Sequence, residues 1–557
     1  MSSSPRRVVF AGIDGATWDI IEPMVAAGKL PNLAATMRAG CYGPLKSTIP
    51  PNSSLAWSSF QTGVHPGKHG IFFFREQSPG SYVRPVVSWN SVQAPSIWKL
   101  ASEAGKKVCV VTVPLTFPPE RLANGFMMGG LMTPDRHSEF IWPPEMRAEL
   151  ERAIGDVPAD NEPEILYHSA GEEQGYKSLL HVIEQLTRIG EYLIEQHKPD
   201  LFAMVYRQVD LTSHSAWCFQ DPEWQRKNPG KWEAKKHLLA SIYEAVDAGY
   251  GRLRAKALAL DGEVAFGTCS DHGFGRITYT YYMNKWLADH GYLVLKGGVT
   301  WQRLRLWQQK TWHKILRRTG VQTRMALKGK RLPNAEQLIM TMIDWSKTRA
   351  YSSFSGGEDI VLINLKGREP QGIVEPGAEY ERLREEIIAK LPEMRAVDGG
   401  RVISAAFKRE EIWEGPQLFL APDIQCMTVD TACNMGASPV HPVHAEEAKE
   451  GRPAMHRMNG IYAWEGAGIF KTGERIGGPQ IADMGSTILH LLGLPLDDHL
   501  DGRVMEDCFT EEYRARHPVQ RRTGHVKLEP RDVGAADRSG SDEERLMETM
   551  RALGYME

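Results

Sequence analysis

The sequence predicts an α/β fold with a mostly parallel sheet that helices cover on both faces. Short apolar segments at 6–13, 106–114, 201–210 and 263–273 are typical of buried strands. Between them, apolar residues recur at helical spacing, most clearly in 178–197. Strands that alternate with helices in this way pair in parallel, which gives the predicted class.

The remaining elements continue this alternation along the chain. After residue 344 a strand and a helix follow, and the sheet pattern returns near residue 456. The predicted helices, besides 178–197, lie at 18–40, 96–105, 237–257, 380–391 and 481–493.

Composition divides the chain into five predicted parts. They are the first part of the core at 1–300, a basic insertion at 301–343, a cap or second α+β region at 344–440, the closing part of the core at 441–510, and a polar tail with a short amphipathic helix at 511–557. Residues 301–331 carry ten Lys or Arg and no acid. Three interpretations fit this segment: a solvated helix face, a lid for an anionic substrate, or a patch on an anionic membrane surface.

The bulk composition is that of an ordinary globular protein. Its net charge of −3 gives no reason to expect specific nucleic-acid binding. Seven cysteines without a CxxC pair fit reduced thiols. No stretch reaches the roughly 18 apolar residues of a membrane span, and the N-terminus is a poor secretory signal. We therefore expect a cytoplasmic protein, and the sequence leaves its oligomeric state open.

Three acids stand near the ends of predicted strands: Asp14 in "AGIDG", Asp210 in "VYRQVD" and Asp271 in "TCSDHG". In an open parallel sheet the carboxyl edge is where ligands collect, so these acids are expected to converge. His214 follows Asp210 by four residues, and His272 follows Asp271 directly. Carboxylates and imidazoles together suit Zn²⁺, Mn²⁺ or Fe²⁺.

A loop at 49–70, "IPPNSSLAWSSFQTGVHPGKHG", is crowded with hydroxyls and has no base beside it in sequence. Two divalent ions would balance three carboxylates and one alkoxide, and would lower the pKa of such a hydroxyl. The loop therefore holds a candidate nucleophile that a metal site elsewhere in the chain would activate.

These segments in their order resemble the alkaline phosphatase superfamily, in its branch of type I phosphodiesterase/nucleotide pyrophosphatase-like proteins. The similarity covers nearly the whole chain and includes "GIDGATWD", "AWSSFQTGVHPGKHGIFFF", "SDHGFG", "MNKWLADHGYL", "HRMNGIYA" and "LLGLPLDDHLDGRV". It implies an alkaline phosphatase-like three-layer α/β/α sandwich with inserted cap segments.

The resemblance also implies two metal ions, with zinc ahead of manganese or iron. One site would use Asp210, His214 and His456. The other would use Asp14, Asp271, His272 and the nucleophile oxygen. His441 and His444 are alternatives to His456, whose "HRMNGIYA" context favours it.

Within the hydroxyl loop, the family pattern places the nucleophile nine residues before the threonine of the "TG" step. Counting back from Thr62 gives Ser53, with Ser54 and Thr48 as alternatives because "NSSLAW" departs from the usual pattern. His65 and His69 are interpreted as structural. Lys68 and Asn284 are weaker candidates for contacts to substrate.

The predicted function is a two-metal hydrolysis of phosphate esters through a covalent Ser53 intermediate. Phosphodiesters or nucleotide pyrophosphates are favoured as small-molecule substrates, and a phosphomonoesterase or metal-dependent phosphomutase is the alternative. A sulfatase is disfavoured because the chain has no CxPxR-type motif. A non-catalytic protein that binds anionic polymers or membrane surfaces is disfavoured because all seven candidate ligands are present.

Overall fold

The computed structural model describes residues 6–160, 172–230, 232–233, 235–304, 335–448 and 454–531. Most of the basic 301–331 segment, and the tail beyond residue 531, therefore lie outside the described residues. None of the described helices is long and apolar enough to span a bilayer.

The strands of these residues are numbered in chain order. They are β1 Arg6–Ile13, β2 Gly40–Lys46, β3 Val108–Val111, β4 Gly125–Met128, β5 Ile141–Trp142, β6 Leu201–Tyr206, β7 Glu263–Cys269, β8 Gly273–Arg276, β9 Tyr279–Tyr281, β10 Ala350–Tyr351, β11 Ile360–Ile363, β12 Ile403–Lys408, β13 Ile424–Thr428, β14 Cys433–Met435, β15 Ala445–Glu447, β16 Ala454–Arg457, β17 Asn459–Glu465, β18 Glu474–Arg475, β19 Leu496–Asp497 and β20 Arg521–Arg522.

The α-helices are numbered in the same way. They are α1 Trp18–Ala26, α2 Pro31–Ala39, α3 Ser53–Thr62, α4 Pro66–His69, α5 Ile97–Glu103, α6 Glu145–Ile154, α7 Glu172–Tyr192, α8 Gln208–Ala216, α9 Pro222–Lys227, α10 Leu238–Leu258, α11 Met283–Asp289, α12 Ala335–Met342, α13 Ala378–Lys390, α14 Arg409–Ile412, α15 Ile481–Leu491 and α16 Glu511–Arg516.

The central sheet has the strand order β18-β2-β17-β7-β1-β6-β3-β4-β5. Its middle five strands, from β7 to β4, are parallel to their neighbours. Strand β17 runs antiparallel to β7 and β2, and β5 runs antiparallel to β4. The predicted α/β class with a mostly parallel sheet is confirmed.

Strand β1 shows why helices cover both faces of this sheet. Successive side chains of a strand point to opposite faces of the sheet. Every residue from Val8 to Ile13 is buried. Val9 packs in the same core as Ile189 of α7 and Leu253 of α10. Phe10 packs in the opposite core with residues of α3 and α15. The result is a three-layer sandwich.

A second, smaller sheet of order β10-β11-β13-β12 carries helix α13 and has a separate hydrophobic core. This core also contains Phe72 and Phe73, which follow the hydroxyl loop of the main layer. The smaller sheet therefore packs against the chain segment that follows the hydroxyl loop, at the carboxyl edge of the central sheet.

A buried ion pair supports the turn between β6 and α8. Arg207 Nη1 lies 2.6 Å from Asp160 Oδ2, and the two side chains are 1% and 0% exposed. Removing one partner of a buried pair is costly because the other charge stays in a low-dielectric interior. We expect this contact to matter for stability far more than surface ion pairs do.

Replacing Asp160 with alanine should lower the free energy of unfolding by about 3–5 kcal/mol. Asp156→Ala is the matched control, because its pair with Arg136 at 3.4 Å has side chains that are 44% and 43% exposed. Such a pair is worth less than about 1 kcal/mol. Urea denaturation, monitored by tryptophan fluorescence, measures the free energy of unfolding of both variants. Equal losses of stability in the two variants would contradict the greater importance of the buried ion pair.

Candidate metal centre

Three carboxylates meet at the carboxyl edge of the central sheet. Asp14 directly follows β1, and Asp271 lies two residues beyond β7. Asp210 was expected at the end of a strand, but β6 ends at Tyr206 and Asp210 lies in the first turn of α8. The chain turns into the helix at Arg207, whose backbone is already helical. Because β1 pairs with both β6 and β7, the three acids still converge.

The glycine of "DG" is needed for this convergence. Gly15 has φ of +70°, and a Cβ there would lie 2.9 Å from Cα of Asp210. A larger residue would therefore be strained and would push the Asp210 backbone away.

A two-stranded ribbon brings in the last histidine from far along the chain. Strand β16 pairs antiparallel with β8, and His456 is opposite Phe274. His272 directly precedes β8. The rings of His272 and His456 consequently stack, with centroids 3.6 Å apart and an interplanar angle of 17°.

One group of potential ligands contains Asp210, His214 and His456. The Nε2 atoms of the two histidines are 3.2 Å apart, and they lie 3.6 and 3.5 Å from Asp210 Oδ1. Two nitrogen ligands of tetrahedral zinc, each about 2.0–2.1 Å from the ion, are separated by about 3.3 Å. The observed triangle therefore has the size of one face of a tetrahedral site.

The other group contains Asp14, Asp271 and His272, with Ser53 beside them. His272 Nε2 lies 3.1 Å from Asp271 Oδ2, 3.9 Å from Asp14 Oδ1 and 3.1 Å from Ser53 Oγ. One imidazole nitrogen thus faces two carboxylates and the candidate nucleophile.

Backbone carbonyl groups orient all three imidazoles in the same way. The Nδ1 atoms of His272, His456 and His214 face the carbonyl oxygens of Gly273, Pro51 and Ala454, at 3.0, 3.1 and 3.3 Å. A carbonyl oxygen only accepts, so in the neutral form of each ring Nδ1 carries the proton and Nε2 keeps the lone pair. This tautomer is the one a metal ligand requires.

One oxygen of Asp14 and one oxygen of Asp271 lack the donors that buried charges need. Oδ1 of Asp14 and Oδ2 of Asp271 are buried and accept no hydrogen bond from the described residues. Burial, followed by the charges of Asp271 and Asp210, raises the pKa of Asp14 well above its usual range. Burial and the charge of Asp210 raise the pKa of Asp271 to about 6. Buried acids with open oxygens beside imidazole lone pairs fit a pair of divalent cations.

Asp210 differs from the other two acids. Burial opposes its ionisation, but the neighbouring His214 and His456 hold its pKa below the usual range. Burial, followed by the charge of His456, lowers the pKa of His272 well below its usual value. The imidazole of His272 is therefore neutral, as a ligand must be.

Ser53 is the first residue of helix α3, and it is 1% exposed. Asn52 caps this helix by accepting hydrogen bonds from Ser54 N at 3.0 Å and Ser54 Oγ at 2.6 Å. Thr48 Oγ1 donates to the carbonyl oxygen of Pro50. Of the three candidate hydroxyls, Ser53 is the one that the structure brings into contact with a candidate ligand.

Other predicted residues have their polar atoms engaged elsewhere. Lys68 Nζ donates to the carbonyl oxygen of His499 and contacts Asp501 at 2.5 Å. The Nδ2 atom of buried Asn284 contacts three backbone carbonyl groups, the shortest contact being 3.0 Å to Ser353. Neither side chain hydrogen-bonds to the candidate ligands among the described contacts.

The histidines that were interpreted as structural or as alternatives to His456 also contact residues outside the two groups of potential ligands. His69 Nε2 is 3.0 Å from Ser59 Oγ, and burial lowers the pKa of His69 to about 3. His444 Nε2 is 2.7 Å from Asp289 Oδ2, and the ring of His441 stacks on Tyr282.

Sequence reasoning missed one residue of the centre. Trp57 Nε1 donates to Asp14 Oδ2 at 2.9 Å and so satisfies the oxygen that faces away from His272. Trp57 follows Ser53 by four residues, so the two side chains lie on one face of α3. That spacing is the signal by which the sequence could have found it.

Comparison with known families agrees with this geometry. The sequence model described as type I phosphodiesterase / nucleotide pyrophosphatase matches residues 8–432. The chain belongs to this family. Type I phosphodiesterases hydrolyse phosphoric esters and depend on divalent metal ions, so the chain is a metal-dependent phosphoric ester hydrolase. The match includes six of the seven candidate ligands and ends before His456.

Solved structures share the fold of this phosphodiesterase family member. Phosphonoacetate hydrolase from Sinorhizobium meliloti 1021, in complex with phosphonoformate, is 15% identical with a TM-score of 0.53, over 88% of this chain and 96% of that one. Human ectonucleotide pyrophosphatase / phosphodiesterase 5 is 11% identical with a TM-score of 0.50, over 91% and 100%. These similarities confirm the alkaline phosphatase-like fold. No curated protein matches the sequence of the chain.

Metal content tests the assignment of the ligands in this family member. Protein loaded with excess zinc and then desalted should hold two ions per chain. Asp271→Asn should reduce this to about one, because the amide removes a charged ligand without changing the side-chain volume. Inductively coupled plasma mass spectrometry measures the stoichiometry.

His444→Ala is the matched control, because it removes a histidine that pairs with a carboxylate outside the two groups. It should retain both ions. Two ions in Asp271→Asn, or loss of an ion in His444→Ala, would contradict the assignment.

Proposed function

We propose that this chain cleaves phosphoric esters through a covalent intermediate on Ser53. Phosphodiesters or nucleotide pyrophosphates are its favoured substrates. The observation that carries the proposal is the position of Ser53 Oγ, 3.1 Å from Nε2 of His272, which forms a group of potential ligands with Asp14 and Asp271. A hydroxyl at the edge of a cationic centre is the arrangement that nucleophilic phosphoryl transfer requires.

Two divalent ions, zinc ahead of manganese or iron, would be held by the two groups of ligands. Asp210, His214 and His456 would hold one, and Asp14, Asp271 and His272 would hold the other with the oxygen of Ser53. When bound, such ions lower the pKa of a coordinated hydroxyl and offset negative charge on phosphoryl oxygens.

The chain's own residues then position and restrain the reacting atoms. Ser53 Oγ loses its proton and forms a bond to phosphorus as the ester P–O bond breaks. The leaving oxygen takes the electron pair of that bond and gains a proton, so that it departs as the alcohol. Water then cleaves the Oγ–P bond and regenerates the hydroxyl. The position of Ser53 in the first turn of α3 favours both the alkoxide and the phosphoryl oxygens, because the helix N-terminus carries partial positive charge.

The alternative activities share this intermediate and differ in its fate or its substrate. A phosphomonoesterase would form a phosphoserine, and a phosphomutase would return the phosphoryl group to a second hydroxyl. Ser53 is almost fully enclosed, which is compatible with transfer to a bound alcohol as well as to water.

A substrate screen separates these activities. Chelated protein is assayed with p-nitrophenyl phosphate, bis-p-nitrophenyl phosphate and a nucleotide-sugar panel, before and after zinc or manganese is restored. Metal-restored activity that is higher on the diester or the nucleotide sugars supports the favoured substrates. Higher activity on the monoester would support the phosphomonoesterase alternative.

Substitution Ser53→Ala should reduce kcat at least about a thousandfold while zinc content stays at two ions per chain, because it removes the nucleophile but no charged ligand. Ser54→Ala is the matched control. Its hydroxyl donates to Asn52, so its loss should change kcat less than about tenfold. Steady-state kinetics and acid-quenched peptide mass spectrometry measure turnover and the adduct. Metal-dependent activity that persists in the Ser53→Ala variant would contradict the assignment of Ser53 as the nucleophile.

A further inference from the structure

A small cavity, with room for about three water molecules, opens directly onto His456 of the candidate metal centre. It lies between the central sheet and the segment that carries the smaller sheet. Its polar lining includes Asn52, Asp359, Thr428 and Asn434, and Phe73 forms an apolar wall. A substrate whose phosphorus lies at Ser53 would have this cavity within reach of its organic group.

Asp359 is held rigidly in the wall of this cavity. Its backbone carbonyl oxygen accepts from Cys426 N at 2.7 Å and from Gln425 Nε2 at 3.0 Å. Its carboxylate accepts a hydrogen bond of 2.5 Å from the hydroxyl of Tyr281. These contacts fix an acceptor where the organic group of a substrate would lie. Because burial raises the pKa of Asp359 to about 7, this acceptor is negatively charged above that pH.

Asn434 contributes a second acceptor. It is the middle residue of strand β14, between two residues that pack in the core of the smaller sheet. Its Oδ1 atom is buried and accepts no hydrogen bond from the described residues. A buried acceptor in this position is costly unless a ligand or water donates to it.

Asn52 contributes donors at the junction between the cavity and the nucleophile. Its Oδ1 accepts both cap hydrogen bonds from Ser54, which assigns the other atom of the amide as Nδ2. Among the described contacts Nδ2 makes no hydrogen bond. The cavity therefore offers both donors and acceptors to hydroxyl groups.

The charges of the cavity exclude a second anionic group. No lysine or arginine is among the residues that line it, and Asp359 is a carboxylate. An adjoining cavity shares Phe73 and His456 with this one. Of its charged lining residues, Arg75 is paired with Glu336 at 2.7 Å, and Glu358 is paired with Arg84. The arginine that lines the adjoining cavity is thus already neutralised by a glutamate.

We infer that this cavity binds the uncharged, hydroxyl-bearing organic group of the substrate, such as a glyceryl group or another small polyol. Hydroxyls would donate to Asp359 and Asn434 and accept from Asn52, while carbon-bound hydrogens pack on Phe73. This inference rests on the proposed function, and it narrows the substrates to esters whose organic group carries no further anion.

The test compares two esters that differ by one group. Glycerol 3-phosphate carries a hydroxymethyl group where 3-phosphoglycerate carries a carboxylate. They are used as monoesters, or as their p-nitrophenyl diesters, according to the class that the substrate screen shows to be hydrolysed. Burial raises the pKa of Asp359 to about 7, so assays at pH 8.5 keep its carboxylate ionised. We expect kcat/KM to be at least about tenfold higher for the glyceryl ester.

Asp359→Asn should reduce the ratio of kcat/KM for the glyceryl ester to kcat/KM for the carboxylate-bearing ester to less than about threefold. The amide keeps an acceptor for the hydroxyl of Tyr281 but removes the charge that repels the carboxylate of the substrate. A merely structural role of Asp359 would change both kcat/KM values together and leave their ratio intact. Asp398→Asn is the matched control. Asp398 also accepts from a tyrosine hydroxyl, that of Tyr279 at 2.9 Å, and is exposed. It should keep the wild-type ratio.

Binding separates a failure of this inference from a failure of the proposed catalysis. Zinc-loaded Ser53→Ala protein is titrated calorimetrically with the same two esters, which needs no turnover. Tighter binding of the glyceryl ester, lost in the double variant with Asp359→Asn, would support the inference even if no ester is hydrolysed. Equal or tighter binding of the carboxylate-bearing ester, or an unchanged ratio in Asp359→Asn, would overturn it.

Discussion

Three carboxylates and three imidazoles are held within a few ångströms of one another in an interior that excludes water. In the absence of cations this cluster opposes folding, because buried like charges repel one another and buried oxygens lack donors. This unfavourable cluster lies at the carboxyl edge of a parallel sheet, where β1, β6 and β7 are fixed by continuous backbone pairing. The arrangement of the rest of the chain follows from positioning and neutralising this cluster.

Several local contacts position the side chains of this cluster. Backbone carbonyl groups set the three histidine tautomers, Gly15 admits the close approach of Asp210, and Trp57 satisfies one oxygen of Asp14. The β8–β16 ribbon brings His456 across more than 180 residues of sequence to stack on His272. Helix α3 then presents Ser53 with its N-terminus toward the cluster. Each contact orients an atom that would otherwise rotate freely.

The alternation of apolar strands and helices was sufficient to predict the fold class. The acids near strand ends, together with the family resemblance, indicated the six residues that the structure brings together. The sequence could not place Asp210 in a helix, since the change from strand to helix at Arg207 depends on tertiary contacts such as that with Asp160. The organic-group cavity was also beyond sequence reasoning. Asp359, which directly precedes β11, and Asn434 of β14 line it from segments far apart in sequence, and their packing has no local signature.

The central claim is that the two groups of ligands hold two neighbouring divalent ions. Anomalous scattering at the zinc absorption edge, from crystals of zinc-loaded protein, tests it most directly. The account predicts two peaks about 4 Å apart, one bounded by Asp210, His214 and His456 and the other by Asp14, Asp271 and His272. A single peak, or peaks whose neighbours belong to neither group, would contradict it.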